Sequence, residues 1–419
     1  MAQLMGGKAG AGLLSLGYVV AVAHRLGARD YGVLMLLNAY AVTCGSVLAF
    51  SGFHGVVRYG ALAREGGDPA RLARLVHASA VIELGCGVAA VAIAAGAARL
   101  VGARMGWPPA VLRIAPLYSL ALLSTVRATP QGVLQLAGRF DLIGLHQLVS
   151  PVVRASGVAL VWAAGGGLMG FAAVWLASSL AEGVAMWLFA LPPWRRLTEG
   201  ARIRGDWRGV AREHRGFVRF ILATNFDITL RELGPNLVPL VVGWMLGPIA
   251  SGLWSLAQRV TAILKQPAQL LAQASYAVLA EFAAAGRFDL VHRSVWRSVG
   301  WAAVAGGFVL AGVGIAGDRI VTFLGGRSFG AAAGLVLLST LAHALTVTAT
   351  PLVTGLTALG HAGRAAAVAF ATNLALLPVL PELVHLFGLE GAGIYVVVQG
   401  STAALALAPM FAATRPPRW

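Results

Sequence analysis

Four basic side chains, Arg154, Arg231, Arg259 and Lys265, stand inside long apolar runs of this chain. If those runs cross a bilayer, each charge costs at least about 2.5–3.5 kcal/mol near the centre and must face a partner, the bundle interior or water. Arginine offers two parallel donors to phosphate or carboxylate oxygens, and lysine offers a mobile point charge, so the chemistry in prospect is anion recognition. Acids share these surroundings. Asp227 stands four residues before Arg231, Glu232 follows it, and Glu83 and Glu182 lie in two other apolar runs. These four are candidates for charge pairing or proton carriage, and Arg231 divides between a helix-face pair with Asp227 and ligand binding.

Arg259 and Lys265 have no acid on their own predicted helix closer than Glu281. They belong to a stripe, Gln258, Arg259, Lys265, Gln266, Gln269 and Gln273, whose spacings of three, four and seven put it on one helix face. Pro267 within the stripe removes a backbone hydrogen bond and favours a kink, as in helices that line a transport cavity. Arg154 shares its face with Gln147 and Ser150. His343 reads as a hydrogen-bonded core histidine.

No nucleophile, base or metal-ligand spacing appears, and neither cofactor nor metal is implied. The segment GGKAGAG from Gly6 lacks the spacing and the Ser/Thr of a phosphate loop. Cys44 and Cys86 lie in apolar runs without redox or metal spacing and read as small core residues. The chain is read as a non-enzyme.

The elements that must carry these residues follow from composition. Of 419 residues 58% are apolar and 11% charged, far from the globular balance and enough for roughly twelve helices of about 20 residues. The runs are unbroken and rich in Ala, Leu, Val and Gly, which excludes the alternating strands of an outer-membrane barrel. The fold class is therefore an all-α polytopic membrane protein. Spans are expected near 6–26, 31–55, 75–98, 108–129, 142–164 and 168–191, then 217–243, 250–280, 298–316, 331–354, 365–387 and 391–411. The first is long enough to remain as a span rather than be cleaved as a signal. A net charge of +16 would suit nucleic-acid binding, but arginines confined to short interhelical loops fit membrane topology instead. Counted by loop, 21 Lys/Arg fall on one side and 7 on the other, which puts the first side, with both termini, in the cytoplasm. Eight of the 21 lie between Arg195 and Arg219 and read as topology determinants and anchors to anionic lipid.

The chain also repeats itself. LGARDYGVL from Leu26 overlays LGPIASGLW from Leu246 at an offset of 220, RLV at Arg99 overlays RIV at Arg319, and ATP at Ala128 meets ATP at Ala349. The glycine-rich turns before the sixth and twelfth spans align at about 223. Two six-span copies with equal orientation imply lobes 1–194 and 217–419 joined by a basic cytoplasmic linker, 195–216, and related by a parallel pseudo-two-fold along the membrane normal. Such lobes facing across a cleft suit alternating access.

Several stretches resemble a known family. RLGARDYGVLMLLNAYAV from Arg25, VVRYGA at the end of span 2, GRFDL from Gly138, LVPLVVGWMLGPIASGLWSLAQRV from Leu237 and LTALGHAGR from Leu356 are similar to the polysaccharide and oligosaccharide flippases, of the lipid-linked O-antigen type, in the multidrug, oligosaccharidyl-lipid and polysaccharide exporter superfamily. ASYAVLAEF from Ala274 departs from the Tyr-Pro common at the end of span 8 in that family. The resemblance implies movement of an undecaprenyl-diphosphate-linked oligosaccharide from the cytoplasmic to the outer leaflet of the bacterial inner membrane, for surface polysaccharide biosynthesis. The lipid-linked oligosaccharide and anionic membrane lipids would be its partners, nucleic acid would not, and docking of polysaccharide-assembly enzymes stays open. Burial and charge, not the resemblance, select Arg231, Arg259, Lys265 and Arg154 as substrate-binding residues. Two other classes stay open: a cation-coupled multidrug exporter of the same superfamily, which needs acids and aromatics in its cavity, and a non-transporting membrane protein.

Overall fold

The computed structural model describes residues 2–48, 50–199, 209–214 and 216–414. Among them every regular element is helical. In chain order these are α1 (Ala2–Leu48), α2 (Phe53–Glu65), α3 (Pro69–Arg104), α4 (Pro109–Tyr118), a 3-10 segment (Ser119–Thr125), α5 (Ala128–Leu136), α6 (Phe140–Ala163) and α7 (Leu168–Leu197). A short α8 (Val210–Glu213) precedes α9 (Phe217–Ala284), α10 (Phe288–Gly325), a 3-10 segment (Arg327–Ala332), α11 (Ala333–Ala358), α12 (Ala362–Phe370), a π-helical turn (Ala371–Ala375), α13 (Val379–Phe387) and α14 (Leu389–Ala412).

Eight of these helices are long and apolar enough to cross a membrane, and nine when the bent pair α12–α13 is one span. The two longest are each double. α1 leaves helical angles at Gly27 (φ 69°, ψ 176°) and α9 does so at Gly247 (φ 81°, ψ −175°), backbone that glycine adopts without a Cβ clash. Splitting α1 and α9 there, and adding the 24-residue α6, gives the expected twelve spans. Pro267 falls inside α9. The fourth span is longer than the sequence suggests: it runs from Pro109 to Leu136 because the helix breaks and resumes in α5. Arg127 therefore lies within the span rather than at its end.

The internal repeat returns in the backbone. Left-handed glycines recur in matched pairs, Gly27 with Gly247, Gly67 with Gly286, Gly106 with Gly326, Gly138 with Gly360 and Gly165 with Gly388, at offsets of 219 to 223. Each pair sits in equivalent turns, so each half of the sequence reproduces the same order of helices and breaks. Local signals set several of these ends. Asp68 accepts the backbone N–H of Arg71 at 2.8 Å with Pro69 in the first turn of α3, a side-chain cap and a preset φ together.

The chain forms two compact units: Met1–Leu26 with Leu36–Asn236, and Gly27–Met35 with Leu237–Trp419. The turn between the first two spans thus packs in the second unit, and residues 217–236 pack in the first. In the first unit Trp175, 1% exposed, is the largest fully buried side chain among the described residues and meets Tyr18 edge-on at 5.7 Å. In the second, Phe411, Leu356 and Val295 centre a cluster from α10, α11 and α14. α10 buries none of its most apolar stretch, and Trp301, Phe308, Ile315 and Phe323 are exposed along it, as a lipid-facing helix requires.

Candidate functional site

Arg154 lies 14 residues along the 24-residue α6, about 21 Å from its start and near the middle of the helix. Its Nε donates to Ser178 Oγ at 2.8 Å, and its guanidinium carbon sits 4.9 Å from the Trp175 ring centroid. The Ser178 hydroxyl in turn donates to Trp175 O at 2.8 Å. Among the described residues no carboxylate lies within salt-bridge distance of Arg154. A serine oxygen and an aromatic face stabilise the cation by a few kcal/mol at most, and neither neutralises it. The site is a half-buried charge with donors to spare, which is the chemistry of an anion receptor.

The acids of the first unit are taken up differently. Glu83, 1% exposed on α3, accepts the backbone N–H of Ala128 at 2.6 Å and of Thr129 at 2.8 Å. It caps the N-terminus of α5 from across the bundle, and its charge meets the unsatisfied amides and the positive end of the helix dipole. The chain needs this cap because the fourth span breaks at Val126 (ψ 64°) and Arg127 (φ −141°). The Arg127 side chain pairs with Glu182 of α7, whose backbone carbonyl accepts from His146 Nε2 at 2.9 Å. Trp187 Nε1 donates to Val126 O at 2.7 Å, covering the carbonyl freed by the break. Thus Glu83 serves a backbone break and Glu182 neutralises an arginine that the sequence places outside the bundle. An Arg-Ala-Thr-Pro run between apolar segments was the available signal for the break, since proline cannot continue the preceding helix.

Asn225 was not legible as a structural residue. On α9 its Oδ1 accepts from Ser51 N at 2.6 Å and its Nδ2 donates to Ser51 O at 3.1 Å, bridging to the join between α1 and α2. Asp227 and Glu232 are exposed on the same helix. The side chain of Arg231 lies outside the described residues, as do those of Lys265, Gln266, Gln269 and Gln273.

In the second unit Arg259 is exposed on α9 with no ion pair among the described residues, and its neighbour Gln258 donates to Ser339 Oγ at 3.2 Å. His343 is buried and its Nδ1 meets Ser339 O at 2.8 Å. The break in the eleventh span is held by amides: Gln399 Nε2 donates to Thr372 O at 3.1 Å and to Asn373 Oδ1 at 3.0 Å. A π-turn with its own side-chain network is a feature that recurs at functional sites.

Part of the basic linker docks on the first unit. Arg74 forks onto the Glu213 carboxylate from 3.0 Å, and Arg71 Nη2 reaches Glu213 O and lies 3.2 Å from His214 Nδ1. His214 is 2% exposed and packs edge-on against Tyr59. Burial first, then the Arg71 charge, lowers its pKa below the ordinary histidine value. At the start of α6, Arg139 forks onto the Asp141 carboxylate at 2.7–3.2 Å. The linker arginines 202, 204, 208 and 215, with Arg415 and Arg418, lie outside the described residues.

These features define a class of fold: a multi-pass helical membrane protein built of a repeated six-span unit with broken helices. Solved transporters share it. An inward-facing multidrug resistance MATE family transporter of the MOP superfamily superposes with a TM-score of 0.74 over 96% of this chain and 95% of that one, at 14% identity. The lipid II flippase MurJ, in an inward closed conformation, gives 0.71 over 98% and 87% at 12% identity. At such identities the likeness is one of fold. In sequence, the chain is 29% identical over 248 residues to the inner membrane protein YghQ of Escherichia coli (strain K12), which covers 59% of this chain and 69% of that protein. No family model matches the chain.

Proposed function

We propose that this protein is a lipid-linked oligosaccharide flippase, moving an undecaprenyl-diphosphate-linked sugar repeat from the cytoplasmic to the outer leaflet of the bacterial inner membrane for surface polysaccharide biosynthesis. The observation that carries the reading is Arg154, a mid-helix guanidinium with no acid beside it among the described residues. A pyrophosphate in transit supplies the charge that is missing, and bidentate arginine contacts suit its oxygens. Arg259, exposed in the second unit and likewise without an ion pair among the described residues, joins it, and Arg231 and Lys265 complete the set proposed to hold pyrophosphate or acidic sugars. Asp227 and Glu232 serve as charge partners or in coupling. The basic linker holds both termini and itself on the cytoplasmic side, two six-span lobes, 1–194 and 217–419, work by alternating access, and docking of assembly enzymes on the linker is part of the same proposal. The resemblance of the fold to a lipid II flippase supports a lipid-linked cargo.

The test is lipid extraction and mass spectrometry on cells lacking the gene, with surface glycan and a drug panel measured in parallel. Accumulated diphosphate-linked repeat units with lost surface polymer support the reading. Normal glycan with raised drug sensitivity moves the assignment to a cation-coupled multidrug exporter, the reading that the MATE neighbour favours. Neither phenotype points to a membrane protein that does not transport.

A further inference from the structure

We propose that the groove between α1 and α6 is a track for a single hydrocarbon chain whose phosphate is held at Arg154. It would be a binding site for an isoprenyl phosphate or diphosphate lipid. The inference rests on the flippase reading and locates the part of the substrate that carries no sugar.

The groove has a volume of about 480 Å³ and an almost wholly hydrocarbon lining that includes Leu14, Gly17 and Tyr18 of α1 and Ala155, Ala159 and Trp162 of α6. Its depth comes from the small residues, because a side chain on Gly17 would enter open space: no atom lies within 4 Å of where its β-carbon would stand. The volume is in the range of small-molecule sites, about 300–1,000 Å³, which accommodates the phosphate-proximal part of a long chain and not the whole of it.

Two arginines stand near the groove without lining it, and they differ. At the outer end Arg25 lies 5.9 Å from the Trp162 ring centroid and donates to Gly165 O at 2.9 Å and to Gly166 O at 3.3 Å, so it is occupied in closing the α6–α7 turn. At the inner end Arg154 immediately precedes the groove residue Ala155. Trp175 stands between them, with Arg154 on its face and Tyr18 of the groove against its edge. The charge that lacks an anion therefore lies one indole ring away from Tyr18 of the apolar track.

Shape alone selects nothing here, since bilayer chains are as apolar as any lining. Depth does. Arg154 lies about 21 Å along α6, roughly one leaflet from the surface of a hydrocarbon core about 30 Å thick. A resident phospholipid keeps its phosphate at the interface, whereas a lipid being carried across brings its phosphate to this depth. Chain in the groove and phosphate at Arg154 are satisfied together only by such a cargo.

The full-length protein in phosphatidylcholine nanodiscs, with radiolabelled undecaprenyl diphosphate as probe and inorganic pyrophosphate or phosphatidylglycerol as competitor, tests this. Gly17→Phe adds a ring at a groove position where a β-carbon meets no atom within 4 Å, and Gly85→Phe, another such position outside the groove, controls for an added ring. Gly17→Phe is expected to weaken undecaprenyl diphosphate binding at least tenfold and to leave inorganic pyrophosphate competition unchanged, while Gly85→Phe binds as the parent does. Arg154→Gln is expected to weaken both anions at least tenfold. Parent-like binding by Gly17→Phe, or equal competition by phosphatidylglycerol, overturns the proposal. If that happens while cells lacking the gene still accumulate the lipid-linked precursor, the groove assignment falls and the flippase reading stands. Normal glycan and no precursor in those cells remove the flippase reading whatever the groove binds.

Discussion

Gly32 and Gly252, 220 residues apart and equivalent in the internal repeat, pack backbone against backbone within the second unit. A β-carbon on Gly252 would come 3.1 Å from the Gly32 α-carbon and would overlap Ala28 O, and one on Gly32 would overlap the Pro248 carbonyl. Nearby, Tyr31 meets Phe329 edge-on at 5.7 Å. The turn that follows span 1 is held by the turn that follows span 7 because neither carries a side chain at the crossing.

Gly252→Ala is accordingly expected to destabilise the protein by about 3 kcal/mol or more, at the upper end of overpacking costs, because the obstruction is backbone and not a flexible side chain. Thermal melting of the purified protein in detergent reads this out. A variant that melts with the parent contradicts the close crossing.

On the proposed flippase reading, Arg154→Gln is expected to lower export of the lipid-linked repeat at least tenfold, about 1.4 kcal/mol, with normal expression. Arg154→Lys should fall between, keeping the charge and losing the planar fork. Complementation of a gene-deleted strain, scored by surface glycan, measures both. Full activity of Arg154→Gln would detach this arginine from the cargo.

The Arg127–Glu182 pair predicts a different pattern. Removing one partner of a buried pair costs about 3–5 kcal/mol, a figure to be lowered to about 1–3 because the Arg127 side chain is 38% exposed. Glu182→Gln should therefore destabilise, and the double variant Arg127→Gln/Glu182→Gln should recover part of the loss. A double-mutant cycle on melting temperature gives the coupling, and strict additivity would show that the two side chains act separately.

Glu83→Ala removes the acceptor of two backbone N–H groups at the α5 break. The expected cost is about 1–3 kcal/mol for the stranded donors, and Glu83→Gln, which keeps one acceptor oxygen, should lose less. Melting of the two variants side by side separates them. Equal losses would count against a capping role.

Docking of residues 209–214 should depend on pH through His214. The groups facing it are Arg71, Arg74 and Glu213, with the Tyr59 ring. Its docked pKa lies below the undocked value of about 6.5, so the docked state binds fewer protons. Docking is strongest above about pH 6.5 and weakens as pH falls through that value towards the docked pKa. Hydrogen exchange of this segment is expected to quicken over that interval, and His214→Phe, which cannot charge, should abolish the dependence. Exchange that ignores pH would remove His214 as the titrating group.

What the sequence determined by itself is what local chemistry encodes. Apolar runs of sufficient length must become helices in a bilayer, where every backbone group has to be satisfied within its own segment, so the helical class and the span count were readable without a fold. The repeat was readable too, because turns such as those at Gly27 and Gly247 require left-handed backbone and keep their glycines. Tertiary structure decided which charges meet. Arg127 looked like an end-of-span arginine until the break before α5 carried it into the bundle opposite Glu182, and Glu83, read as a candidate for charge pairing or proton carriage, met the amides of that break instead. It also decided that residues 27–35 pack with the second half of the chain and 217–236 with the first. Pairings across 55 or 220 residues leave no periodic trace in a sequence, since the energy that selects them is the desolvation of particular groups brought together only when the helices pack.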